Sequence, residues 1–147
     1  MVKLIKILIF LFISTNLLFL QAAKYNEKIK IGLLVPMSGT NKDIGRSIIK
    51  AVSLAVKDID SNLIEIYPKD TATKPNQTLK SAFELQEMGI KVIIGPVFLE
   101  SLTYLDEMKN LTFLSLTNKN LDLPKNVISA GINSTSQFNT IKKFLEK

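Results

Sequence analysis

Whatever chemistry this 147-residue chain performs falls to four clusters of small polar residues: Ser38-Gly39-Thr40, Gly95 to Ser101, Thr117-Asn118 and Asn133-Ser134. Each follows an apolar run or precedes a helical pattern, so hydroxyls, a side-chain amide and free backbone N–H groups would lie together at strand ends and helix starts. Such groups suit the carboxylate or hydroxyls of a small ligand, because anions sit well at a helix N-terminus. Turns and caps also need Ser, Thr, Asn and Gly for backbone reasons alone, so the clusters serve either role. No catalytic set competes with them. The sequence has neither Cys nor His, which removes the usual zinc ligands, thiol chemistry and every triad with an imidazole base. The closest carboxylate pairs, Asp106-Glu107 and Asp58 with Asp60, fall on predicted helices or helix ends and read as solvated surface. Gly39 and Gly45 bracket five residues and are followed by Arg46, so the spacing of a phosphate loop is missing, and no Gly-x-Gly-x-x-Gly follows the first apolar run. Binding without catalysis, metal or cofactor is the expectation.

The elements that must position these clusters alternate. The run Ile31 to Val35 breaks at Pro36, a reading of strand and then loop, and Ile44, Ile48, Val52, Ala55 and Ile59 recur at helical spacing after it. Leu63 to Tyr67 is predicted as a second strand, at a sheet edge, closed by Pro68. A second helix is predicted from a cap at Asn76 to a stop at Gly89, and a third strand over Lys91 to Pro96. Ser101 is placed as the cap of a short third helix using Leu102, Leu105 and Met108. Leu111 to Leu116 and Val127 to Ile132 follow as strands, and a last helix opens at Ser134 or Thr135. Five strands alternating with four helices, the last of them after the fifth strand, force parallel pairing, hence a doubly wound α/β sheet of order 2-1-3-4-5. The loops after strands 1, 3 and 4 would then meet at one carboxyl edge.

The formal net charge of +6 falls to +4 after residue 23, with 17 basic against 13 acidic residues scattered over every element. A nucleic-acid binder would gather that excess on one face, so no nucleic-acid partner is expected. Lys3 and Lys6 precede an apolar stretch from Ile7 to Leu20, and Gln21-Ala22-Ala23 leads into polar sequence. Residues 1–23 read as a cleaved export signal, with an uncleaved membrane anchor as the alternative.

An export signal followed by Ile31-Gly32-Leu33-Leu34-Val35-Pro36-Met37-Ser38-Gly39, then Asp70-Thr71, then Val92-Ile93-Ile94-Gly95-Pro96 resembles the periplasmic leucine-binding protein family, with its type I solute-binding fold. The resemblance implies that residues 24–147 form the N-terminal lobe of a periplasmic protein whose second lobe is absent from this chain. In that family two lobes close on a small ligand, commonly a branched-chain amino acid, and deliver it to a membrane ABC transporter. Carried over by position, Ser101 matches the family's ligand-binding serine, and Thr117 and Asn118 match ligand-contacting residues after the fourth strand. Ser38, with Gly39 beside it, sits at the cleft rim. Transporter-type members usually place small hydroxyl residues where this chain has Val97-Phe98-Leu99-Glu100. A glutamate in the cleft would repel a ligand carboxylate unless it faces away or pairs with the ligand's ammonium group. The segments Gly95 to Phe98, Phe113 to Asn118 and Gly131 with Ser136-Gln137 look closer to the penicillin-binding protein activators, which use the same fold in envelope assembly and would have a cell-wall synthase as partner.

Overall fold

The computed structural model describes residues 28–60, 62–119 and 122–146; the expected export signal over residues 1–23 lies outside them. Ile29–Val35 forms β1, and its last four residues are buried. It pairs in parallel with β2 (Ile64–Asp70) on one side and β3 (Val92–Ile94) on the other. β4 (Thr112–Ser115) and β5 (Val127–Ser129) extend the sheet beyond β3, giving the expected order β2-β1-β3-β4-β5, parallel throughout. The helices are α1 (Lys42–Ile59), α2 (Pro75–Glu87) and α3 (Ser134–Leu145).

β5 ends at Ser129, short of the expected Ile132, and three further boundaries differ from the sequence expectation, each for a local reason. Pro68 does not close β2, which runs on to Asp70. β2 is an edge strand, and an edge tolerates a residue without an N–H. Asn76 does not cap α2. Pro75 occupies its first position, where no N–H is needed, and holds Lys74 before it in an extended conformation. The expected third helix is instead a pair of 3-10 turns, Leu99–Leu102 and Leu105–Glu107, separated by Tyr104 at φ 75°. The break at Tyr104 lets Leu102, Leu105 and Met108 all reach the core without an α-helical turn, while Leu99 stays exposed. Ser101 consequently lies inside the first turn rather than capping it.

The core fills the side of the sheet that α2 and the 3-10 turns cover. Leu34, Ile93, Phe113 and Val127 point there from the strands, meeting Ala82 and Leu85 of α2, Ile90 after it, and Leu102, Leu105, Met108 and Leu111. Asn126 fastens this layer: its side-chain amide donates to the carbonyls of Leu105 and Met108. Gly89, at φ 77°, ends α2 as expected. On the opposite side α1 packs on β1. It comes so close at Gly45 that an added Cβ would lie 1.8 Å from the Pro36 carbonyl oxygen.

Candidate functional site

A parallel sheet places every strand's carboxyl end at one edge, and in this order the chain turns left from β1 to β2 and right from β2 to β3. The loops after β1 and β3 therefore flank the switch point where open α/β sheets hold ligands. Ser38, Gly39, Ser101, Thr117 and Asn118 all follow strand ends on this edge. Their side chains are in different states, which decides what each has left to offer.

Ser38 is exposed, on the loop after β1, and is fully engaged as a donor. Its hydroxyl donates to Asp70 Oδ2 at 2.6 Å. The backbone N–H groups of Met37, Ser38 and Ala72 all donate to Asp70 Oδ1, at 2.7, 3.2 and 2.8 Å. Burial works to raise the Asp70 pKa, but the Ser38 hydroxyl and the three amides outweigh it and hold the carboxyl below the usual aspartate range. Gly39 follows at φ 76° and lets the loop turn into α1.

Ser101 is 1% exposed, and its hydroxyl has no hydrogen-bond partner among the described residues. Buried polar groups are nearly always paired, so an unpaired hydroxyl beside the switch point is a candidate for contact with a bound molecule. Glu100, its neighbour, is exposed, and its carbonyl accepts from the Thr103 amide and hydroxyl.

Thr117 is buried, and its hydroxyl oxygen accepts from the Lys119 N–H. Its own N–H donates to the Ser115 hydroxyl oxygen, and that hydroxyl donates to the Pro96 carbonyl, which ties the β4 loop to the β3 loop. The β5 loop closes on the same place. A Cβ on Gly131 would lie 2.1 Å from the Thr117 carbonyl oxygen. Asn118 is exposed at the tip of the β4 loop. No hydrogen bond joins any two of the five candidates.

Asp70 and Ser115 were absent from the candidate set, although each organises a loop of this edge. Asp70 is marked in the sequence as a carboxylate at the end of an edge strand, directly before Thr71-Ala72-Thr73. Nothing in the sequence marks Ser115, because its role depends on β3 and β4 lying side by side. A cavity of about 850 Å3 exists at the opposite, amino-terminal edge of the sheet, between Lys28, Lys30, Lys91, Tyr67 and Met88, and none of the five candidates lines it. No group of His, Cys, Asp or Glu among the described residues could hold a metal ion.

Residues 28–147 match the family model described as periplasmic binding protein. The chain belongs to the periplasmic binding protein family. A search of curated proteins finds no match. Solved structures share the fold. A leucine-binding protein, LivK, from Thermotoga maritima superposes with a TM-score of 0.65 at 18% identity, covering 81% of this chain and 37% of LivK. A solute-binding protein of an ABC transporter from Rhodopseudomonas palustris BisB5, solved with 3,4-dihydroxybenzoic acid, gives 0.57 at 26% identity, covering 61% and 27%. The C-domain of LpoA from Haemophilus influenzae, a regulator of PBP1A, gives 0.58 at 21% identity, covering 70% and 32%. The chain thus spans between about a quarter and two fifths of the length of these relatives.

Proposed function

We propose that this chain is the ligand-recognising lobe of an exported, periplasmic solute-binding protein, taking up a small ligand, an amino acid in the first instance, for a membrane ABC transporter permease. The observation that carries this reading is the buried, unpartnered Ser101 hydroxyl next to the switch point of a periplasmic-binding-protein sheet. Thr117 and Asn118 on the next loop, and Ser38 and Gly39 on the β1 loop, supply the remaining rim. Glu100 is exposed, and in this reading it faces away from the ligand carboxylate or pairs with the ligand's ammonium group. No enzyme activity is part of this reading.

The test is a thermal-shift screen of the protein against the amino acids and small hydroxybenzoates. A ligand at about 100 times its dissociation constant adds about 2.7 kcal/mol of stability. A shift that Ser101→Ala abolishes supports the reading, and the absence of a shift with every compound overturns it. A second reading, an envelope protein acting on a cell-wall synthase, draws on Val97-Phe98-Leu99-Glu100, where transporter-type members usually carry small hydroxyl residues. Co-purification of a cell-wall synthase from membranes, with no ligand response, would favour it.

A further inference from the structure

The sequence marks Ser38-Gly39-Thr40 as a place for a ligand's carboxylate, since a hydroxyl and free amides meet there. The structure fills the Ser38 part of that place from within, while the Gly39 N–H and the Thr40 N–H and hydroxyl donate to nothing among the described residues. The Asp70 carboxylate accepts the N–H groups of Met37, Ser38 and Ala72 on one oxygen and the Ser38 hydroxyl on the other. A hydroxyl has one hydrogen to donate, and that of Ser38 is spent; what the side chain retains is acceptor capacity. Asp70 Oδ2 likewise has a single recorded donor and can accept more. A second carboxylate brought to this loop would meet a fixed negative charge and no free donor from Met37 or Ser38.

We propose that Asp70 fixes the hydrogen-bond polarity of the cleft rim at Ser38: it leaves the Ser38 side chain offering an acceptor beside a fixed carboxylate, so the part of a ligand that rests against Ser38 is a donor group, an ammonium or a hydroxyl, and not a carboxylate. This rests on the solute-binding reading above and adds an orientation to it. The buried hydroxyl without a partner among the described residues, on Ser101, lies after β3, on the other side of the switch point from β2 and Asp70. Asp70 is a positioning residue for Ser38 and an acceptor in its own right.

The test is a nitrogen-15 NMR titration of the intact chain with methylammonium chloride and, separately, sodium acetate at matched concentration and ionic strength. Methylammonium is expected to shift the amide signals of Met37, Ser38 and Ala72, and acetate to leave those three in place. Asp70→Asn keeps an oxygen for the three amides, while its NH2 group donates to the Ser38 oxygen and releases the Ser38 hydrogen. That variant is expected to lose the methylammonium response and gain one to acetate. Ser38→Ala leaves the amide bonds to Asp70 and weakens the methylammonium response without creating an acetate response, which keeps the test decisive where Asp70→Asn fails to fold. An acetate response equal to that of methylammonium in the unmodified chain, or no response to either salt, overturns the proposal. A chain that binds nothing in the ligand screen yet shows the loop response loses the transport reading and retains the rim polarity; a chain that binds an amino acid without the loop response does the reverse.

Discussion

The two sides of the sheet are built from equally apolar segments and end in opposite conditions. On the α2 side, Phe113, Leu85, Ile93 and Leu105 are wholly buried and interlock with one another. On the other side Leu33 and Val35 of β1 are wholly buried, but Val92 is 40% exposed and Ile128 55%, and α1 itself buries only Gly45. α3 buries no residue, with Phe138 at 66% and Phe144 at 77% exposure. An apolar stripe at helical spacing therefore states which way a helix could face, and a second element has to meet it before the stripe becomes core. α1 is held by a narrow apolar contact, with Ile48, Ile49, Val52 and Val56 half-buried, and by backbone approach: Gly45 against the Pro36 carbonyl, next to the loop that Asp70 fastens. One side is stabilised by extensive side-chain packing and the other by a thinner contact along β1 and a latch.

The largest expected effect sharpens this contrast directly. Phe113→Ala opens a cavity in the packed side and should destabilise the chain by about 3–5 kcal/mol. Phe138→Ala removes a ring of the same size from an exposed helix face and should change stability by no more than about 0.5 kcal/mol. Urea unfolding of both variants measures the difference. Equal losses would show that α3 is packed in solution and that the two sides do not differ as described.

The latch gives the intermediate effect. Asp70→Ala leaves the Met37, Ser38 and Ala72 amides without their acceptor and should lower stability by about 1–3 kcal/mol, the range for hydrogen bonds to a charged group. Its pH dependence follows from the sign of the shift. The folded-state pKa of Asp70 is depressed, so the stability it contributes is fully present above the unfolded aspartate value of about 3.9. That stability declines as pH falls through this value and is lost once the folded carboxyl is protonated. Melting temperature followed from about pH 6 to pH 3 should therefore fall less steeply for Asp70→Asn than for the unmodified chain. Identical slopes would mean that Asp70 titrates without constraint and the latch is not formed.

The distribution of these effects parallels what was legible in the sequence. The strand order could be read because Ile31 to Val35, Val92 to Ile94 and Leu111 to Leu116 are apolar runs separated by crossovers, a local signal. Gly89 as a helix end and Pro36 as a strand end were equally local. The 3-10 turns were misread because Leu102, Leu105 and Met108 fit an α-helix nearly as well as a three-residue repeat, and Tyr104 gives no warning that it adopts a positive φ. The candidate site was read as residue types only. Which hydroxyl donates, which accepts and which is unpaired depends on partners distant in sequence, 32 residues away for Ser38 and 19 for Ser115. Beyond its family resemblance and its place at a strand end, Asp70 carries no chemical mark in the sequence, since its partners arrive only when β1 and β2 pair.

The smallest expected effect tests whether α3 stands by itself. Its start carries a reciprocal cap: the Asn133 side chain accepts the Ser136 N–H at 2.9 Å, and the Ser136 hydroxyl accepts the Asn133 N–H at 3.1 Å. Losing such a cap typically costs about 1 kcal/mol of helix stability. How that loss is shared depends on coupling. A helix docked on a core passes the full amount to global unfolding, whereas one that packs closely on no other element unravels locally and leaves the core transition where it was. Asn133→Ala should therefore speed amide exchange throughout Ser134–Leu145 and leave the urea midpoint reported by Tyr67, which packs against the core of the α2 side, unchanged. A midpoint shift matching the whole capping energy would place α3 within the cooperative unit, and the apolar face of Phe138, Ile141 and Phe144 would then have to be covered in solution.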